Sequence, residues 1–136
     1  MQISTKIEYA VRGLVALFTP DEGEPMPIKE VCRIQNLPIK YMEQIFNSLR
    51  KDSLVSSVRG AHGGYYLARP LKQISLWDVM KALDELPINM NCMDREAQHE
   101  YCIGLPCSFY DAWQKIADEV RDFFADISLS RFSQNN

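Results

Sequence analysis

Hydrophobic residues near the start of the chain recur with the period of an amphipathic helix. The apolar positions are separated by one, three or four residues: Ile7, Ala10, Val11, Leu14, Val15 and Phe18. This spacing places them on one face of a helix. Pro20 and the run TPDEGEPMP at residues 19–27 then end it. We therefore predict a first helix that ends before Pro20.

Two further helices are indicated by the next apolar patterns. A short apolar face predicts a second helix of about two turns: Ile28, Val31 and Ile34. The Asn36-Leu37-Pro38 turn ends it. A third helix runs from about Pro38 to Lys51, with one face apolar: Met42, Ile45, Phe46 and Leu49. Its opposite face is polar: Lys40, Glu43, Gln44 and Asn47.

A β-hairpin follows the third helix. Residues 53–70, SLVSSVRGAHGGYYLARP, contain two strand-like segments rich in Val and Tyr around a glycine-rich turn. Ser75 and Asp78 then have the spacing of a capping box, which begins another helix. Three helices and a hairpin in this order predict a winged helix-turn-helix, a mainly α fold with a small β-hairpin wing.

A long helix is predicted near the end of the chain. Its apolar residues are spaced four, three, four, three and four apart, as in a heptad seam: Phe109, Trp113, Ile116, Val120, Phe123 and Ile127. This surface exceeds what the end of a small domain needs, so a second copy of the chain would cover it. The alternative is a helix that folds back on its own domain. The predicted division is a DNA-binding domain at 1–86, a loop at 87–107, and a dimerisation helix with a polar tail at 108–136.

The charge is divided unevenly along the chain. The net charge is -3, but residues 1–75 carry 10 Lys and Arg against 7 Asp and Glu, whereas residues 76–136 carry 5 against 11. The first part can therefore meet phosphates, and the second cannot. Lys6, Glu8 and Arg12 interrupt the first apolar stretch, which excludes a signal peptide and a membrane span there. We expect a cytoplasmic protein.

The polar face of the third helix suits the reading of DNA bases. In a helix-turn-helix the second helix enters the major groove with its N-terminal residues against the base edges. The candidate contacts there are Lys40, Tyr41, Glu43 and Gln44. Arg59 and His62 lie at the predicted wing tip, where an Arg can enter a narrow minor groove. The competing interpretation is a polar face that meets only solvent.

Three cysteines are concentrated in the irregular loop. Cys92, Cys102 and Cys107 follow the spacing C-x9-C-x4-C, which differs from the close pairs of zinc sites. Iron–sulfur clusters also take thiolates. The fourth position could be taken by an acidic or histidine side chain: Glu8, His99 or His62. A thiol redox switch and unligated cysteines remain alternatives, while Cys32 fits a buried position better than a ligand.

The segment VSSVRGAHGGYYLARP, residues 55–70, resembles the wing of the Rrf-type winged-helix transcription regulators. Two further segments are similar to helices of that family. The start of the chain, MQISTKIEYAVRGLVAL, is similar to its first helix, and ISLWDVMKALDE, residues 74–85, is similar to the helix that follows its wing. The family includes an iron–sulfur cluster regulator, a nitric-oxide-sensing repressor and a cysteine-metabolism repressor. The resemblance implies a homodimer that is held by the long C-terminal helix and binds a roughly palindromic DNA operator.

The resemblance also implies a cofactor. Sensing members hold a 2Fe-2S or 4Fe-4S cluster on the loop before the dimerisation helix, through three cysteines and one other ligand. Cys92, Cys102 and Cys107 lie in that loop, and Glu8 occupies the place of the acidic ligand of the nitric-oxide-sensing branch. We therefore expect a regulator whose operator affinity depends on the cluster. The alternative is a regulator without a cluster, controlled by thiol oxidation or by a partner protein. No catalytic set of residues points to an enzyme.

Overall fold

The computed structural model describes residues 2–19, 23–89, 102–104 and 107–133. Its helices and strands are, in chain order, α1 (Thr5–Ala16), α2 (Ile28–Gln35), α3 (Ile39–Lys51), β1 (Val55–Val58), β2 (Gly64–Leu67), α4 (Leu76–Ala82) and α5 (Ser108–Ala125). Two 3-10 turns lie at Leu71–Gln73 and Leu129–Phe132. The predicted winged helix-turn-helix with a long C-terminal helix is confirmed. Within the described ranges, no helix is both long and apolar enough to cross a membrane.

The first three helices form the centre of the core. The hydroxyl of Ser4 caps α1 by accepting a hydrogen bond from the Ile7 amide at 3.2 Å. A Cβ on Gly13 would lie 2.6 Å from Cε2 of Phe46, so only glycine lets α1 approach α3 this closely. The predicted apolar face of α3 is fully buried: Met42, Ile45, Phe46 and Leu49.

The turn between α2 and α3 is built on Asn36. This residue adopts the left-handed conformation with φ 53° and ψ 57°, and the Leu37 amide donates to the Cys32 carbonyl at 2.9 Å. The sequence pattern places Ile34 on the buried face of α2, but its side chain is 46% exposed. Val31 of the predicted face is buried, and so is Cys32, because α1 and α3 pack on this side of the short helix.

The segment before α2 pairs with strand β2 of the hairpin through Met26. Strands β1 and β2 are antiparallel, and Val58 pairs with Gly64 next to the turn. Met26 and Tyr65 exchange two backbone hydrogen bonds of 2.8 Å, which fixes the wing to the helices. A Cβ on Gly64 would lie 2.3 Å from the Met26 carbonyl carbon, so this contact requires glycine.

The chain after α5 returns to the core of the winged unit, which is formed by α1 to α4 and the hairpin. The Leu76 amide donates to the Ile127 carbonyl at 2.8 Å, and the Leu129 amide donates to the Ile74 carbonyl at 2.9 Å. Leu129 is fully buried. The end of α5 is therefore held against the start of α4. The division at 1–86, 87–107 and 108–136 stays a prediction.

Candidate DNA-reading surface and cysteine loop

The N-terminal half of α3 presents the polar face that the sequence predicts. Lys40, Glu43 and Gln44 are exposed. The side chains of Lys40 and Gln44 form no hydrogen bond or ion pair with any residue of the described ranges. One turn later, Arg50 Nη2 donates to Asn47 Oδ1 at 2.7 Å. The beginning of α3 is therefore available to a ligand, whereas its end is already engaged.

Tyr41 differs from the other predicted contacts on α3. Its side chain is half-buried, and its ring meets Tyr9 edge-on with a centroid distance of 5.8 Å. The ring of Tyr9 also lies 5.8 Å from the guanidinium carbon of Arg12. Tyr41 thus joins α1 to α3 at the margin of the polar face. Its role in contacting DNA stays a prediction.

The tip of the wing is a tight turn with two exposed side chains. Gly60 has φ +118°, and the Gly63 amide donates to its carbonyl at 3.0 Å. A Cβ on Gly63 would lie 2.2 Å from the Val58 carbonyl oxygen. These contacts fold the turn tightly and leave Arg59 and His62 exposed. A cation and an imidazole are thus presented beyond the body of the molecule.

Residues 83–86 lead into the cysteine loop and are called the loop root below. Two hydrogen bonds hold them against the start of α1. Ser4 Oγ donates to Glu85 Oε2, and Lys6 Nζ donates to the Leu83 carbonyl at 3.4 Å. A hollow of about 310 Å³ is lined by the start of α1 and by residues 85–87. Sequence reasoning missed the Ser4–Glu85 pair, because partners 81 residues apart leave no local signal. The exposed Glu8 lies on this same first turn of α1.

Two of the three clustered cysteines lie in the described residues. Cys102 is exposed, Cys107 is half-buried, and both are free thiols. Cys107 occupies the N-cap position of α5, where its carbonyl accepts the Asp111 amide at 3.2 Å. Cys92 and His99 lie outside the described residues. Within the described ranges, no three His, Cys, Asp or Glu side chains are close enough together to hold a metal ion.

Cys32 has a different environment. Its side chain is 4% exposed, and burial, followed by the negative charge of Glu43, raises the pKa of its thiol. A thiol that remains protonated is a poor nucleophile and a poor ligand. Its exclusion from the predicted cysteine site agrees with this burial.

One side of α5 is apolar and uncovered. Phe109 is 65% exposed, Phe123 is 62% exposed, and Trp113 and Ile116 are each 40% exposed. These four residues belong to the predicted heptad seam and are called the α5 stripe below. Val120 and Ile127, the other two seam residues, are partly buried against the core. Val120 and Ile127 thus face the core, whereas the other four seam residues, including Phe123 between them, face outward.

Comparisons with known proteins cover nearly the whole chain. Residues 3–135 match the profile of the Rrf2 family, described as iron-dependent transcriptional regulators. Over 135 residues the chain is 31% identical to the HTH-type transcriptional regulator IscR of Pectobacterium carotovorum, which covers 99% of this chain and 80% of that protein. The HTH-type transcriptional regulator IscR of Photorhabdus laumondii is 32% identical over 135 residues, which again cover 99% of this chain and 80% of that protein.

Solved structures agree with this match. CymR, the global cysteine regulator of B. subtilis, superposes with a TM-score of 0.68 at 26% identity, covering 100% of this chain and 98% of that one. IscR of T. potens superposes with a TM-score of 0.64 at 27% identity, covering 96% and 84%. Both likenesses extend over the winged unit and α5.

Proposed function

This chain belongs to the Rrf2 family of transcriptional regulators, and on that premise we propose that an iron–sulfur cluster controls its affinity for DNA. Its relatives are transcriptional regulators rather than enzymes, and the chain is a DNA-binding regulator of the same kind. The finer proposal concerns a cytoplasmic homodimer, a roughly palindromic operator, and a cluster on the loop before α5.

The observation that carries the cluster proposal is the state of Cys102 and Cys107. Both are free thiols; Cys107 is the N-cap residue of α5, and Cys102, five residues earlier in the chain, is exposed. Cysteine binds iron as the thiolate. Thiolates are the usual protein ligands of iron–sulfur clusters, so this donor set fits the group. Cys92, from the same loop, would be the third thiolate.

Glu8 is the fourth ligand in this proposal, with His99 and His62 as alternatives. The carboxylate of Glu8 is exposed on the first turn of α1, close along the chain to the Ser4 and Lys6 contacts that hold the loop root. A carboxylate could therefore reach a centre on the loop without any change in the core. The bound cluster would supply a centre that oxidants or nitric oxide can alter.

The α5 stripe supports the homodimer. Four large apolar side chains stay exposed on one helix face, and a second copy of α5 would remove them from water. Two-fold symmetry would then present two α3 helices to DNA. Half-sites about 34 Å apart would place these helices in successive major grooves.

The polar face of α3 and the wing tip supply the DNA contacts of the proposal. Gln44 can pair with adenine, Glu43 can accept from the amino group of cytosine, and Lys40 can bind guanine or phosphate. Arg59 at the wing tip would enter the minor groove, with His62 beside it. These side chains are exposed in the structure, which the docking requires.

A regulator controlled by thiol oxidation, with no cluster, is the second candidate. The free thiols of Cys102 and Cys107 suit it equally, and the structural likeness to CymR, a cysteine regulator, favours it. A disulfide would tie the loop to the start of α5. Control by a partner protein belongs to the same class, because it too needs no metal.

Iron and sulfide analysis of protein purified without oxygen separates the candidates. We expect a brown protein with iron and acid-labile sulfide in the wild type, and a loss of both in Cys92→Ala, Cys102→Ala and Cys107→Ala. Cys32→Ala is the matched control and should keep the colour, because the thiol of Cys32 is buried in the hydrophobic core. A colourless wild type that binds its operator only when its thiols are reduced would favour the second candidate.

A further inference from the structure

We infer that Ile39 reads the 5-methyl group of a thymine in each operator half-site, so that this thymine contributes to sequence specificity. The inference rests on the proposed docking of α3 in the major groove. It adds a base contact that the polar residues of α3 cannot make, since none of them ends in an apolar group.

Ile39 stands outside the core although it is a large apolar residue. It is the first residue of α3, and its side chain is 41% exposed, whereas Met42, Ile45, Phe46 and Leu49 are fully buried. The core therefore does not account for an isoleucine at this position. Exposure alone would mean little, because single apolar side chains are common on protein surfaces. The position of Ile39 on the helix is what gives the exposure a meaning.

The first turn of α3 is the part that meets base edges when the second helix of the motif enters the groove. Side chains on a helix tilt toward its N-terminus, so Ile39 projects ahead of the helix end. Among the four bases, thymine alone presents an apolar group in the major groove, and that group is its 5-methyl. An isoleucine at this place is thus complementary to thymine and to no other base.

Glu43 places a second constraint on the half-site. It lies one helical turn after Ile39 on the same side of α3, and it is also exposed. A carboxylate at the base edges accepts from the amino group of cytosine. Residues four apart lie about 5–6 Å from each other. The thymine and a cytosine should therefore be adjacent or separated by one base pair.

Ile34 provides a matched control. It is an isoleucine of similar exposure, 46%, but it lies on α2, the helix that crosses the DNA backbone in this motif. Phosphates and sugars offer no methyl group to recognise. Replacing Ile34 should therefore leave the response to thymine unchanged.

The test removes one methyl group from the DNA and leaves the base pairing intact. Binding sequences would be selected from random duplexes with the purified full chain, and each recurrent thymine would then be replaced by uracil. At one thymine per half-site, we expect the wild type to lose about fourfold in affinity, the value for one buried methyl. Replacement in both half-sites should cost about fifteenfold. Ile39→Ala should bind the thymine and uracil duplexes equally, whereas Ile34→Ala should behave as the wild type.

Two results would overturn the inference without touching the proposed function. The first is a wild type that selects a DNA sequence but loses no affinity when any of its thymines is replaced by uracil. The second is an equal loss of affinity on uracil replacement in Ile39→Ala and in the wild type. Ile39→Val keeps a branched apolar side chain and should retain the preference for thymine over uracil. That result would show that Ile39→Ala does not lose the preference through a loss of fold. If Lys40→Ala and Gln44→Ala also bound the selected duplexes as the wild type does, the docking of α3 itself would be wrong.

Discussion

At the scale of single residues, the glycines of the wing determine whether it can attach to the helices. Gly64 lies against the backbone of Met26, which forms the two 2.8 Å hydrogen bonds with Tyr65. Any side chain at Gly64 would push these two segments apart. The wing would then lose the two hydrogen bonds that hold it to the segment before α2.

Gly64→Ala should lower the free energy of unfolding by about 3 kcal/mol, because it combines a backbone clash with an unfavourable φ. Gly60→Ala is the matched control: its φ is also positive, but nothing lies within 4 Å of the added Cβ. Urea unfolding followed by circular dichroism measures both. Equal losses in the two variants would show that the contact with Met26 is not tight.

The buried thiol of Cys32 should make stability depend on pH. Burial raises its pKa in the folded chain, so the folded state holds this proton more tightly than the unfolded state does. The resulting contribution to stability is complete below the ordinary thiol pKa of about 8.5 and is lost as the pH rises beyond it. The unfolding free energies of the wild type and Cys32→Ala should therefore converge as the pH rises above about 8.5. Parallel curves would contradict this account.

Residue-level features could be predicted from the sequence where both partners are local. The capping box of Ser75 and Asp78 is confirmed, with bonds of 2.9 and 3.1 Å, because its two residues are three apart. The Ser4–Glu85 contact and the approach of Gly64 to Met26 depend on the tertiary fold. No spacing in the sequence indicates either of them.

At the scale of elements, α5 has two different surfaces. Its C-terminal end packs inward through Phe124, while the α5 stripe faces outward. The heptad pattern predicted the seam, but periodicity alone could not tell which seam residues the chain itself covers. Val120 and Ile127 are partly covered, because the chain after α5 returns to α4.

A charge placed in the α5 stripe should separate the proposed dimer. Phe123→Glu would bury a carboxylate between two helices, which costs several kcal/mol. We expect a folded monomer by sedimentation velocity and a large loss of operator affinity. Ala125→Glu is the control, because Ala125 is exposed and lies outside the stripe. A wild type that is already monomeric at micromolar concentration would refute the dimer.

In the short helix α2, the apolar pattern of the sequence does not fully predict which side chains are buried. In a helix of eight residues only a few positions define the apolar face. The packing of α1 and α3 buries Val31 of the predicted face together with Cys32 and leaves Ile34 exposed. The longer helix α3 has four core residues on one stripe, and its buried face is the predicted one. Longer patterns leave fewer alternatives.

At the scale of the whole molecule, the described contacts connect the cysteine loop to the DNA-reading surface. The loop root is held at α1 by Ser4 and Lys6, and α1 packs on α3 through the close approach of Gly13 to Phe46. At its other end the loop leads into α5, which carries the proposed dimer contact. In the proposed dimer, a change in the loop would therefore alter both the position of α3 and its distance from the α3 helix of the second copy.

The fold and the cysteine site differ in how far the sequence could predict them. The winged fold depends on repeated apolar patterns, which the sequence displays. The ligand set depends on where Cys92, Cys102, Cys107 and Glu8 meet in space, and a spacing of nine and four residues does not define that. The response of DNA binding to iron is therefore the decisive property.

The most direct test is operator affinity measured without oxygen, before and after iron is removed from one preparation by a chelator. We predict that removal changes the affinity of the wild type by about tenfold or more, the usual size of coupling between two sites. Cys102→Ala, treated in the same way, should show no change. Iron-containing wild-type protein whose affinity stays the same after iron removal would contradict control by a cluster.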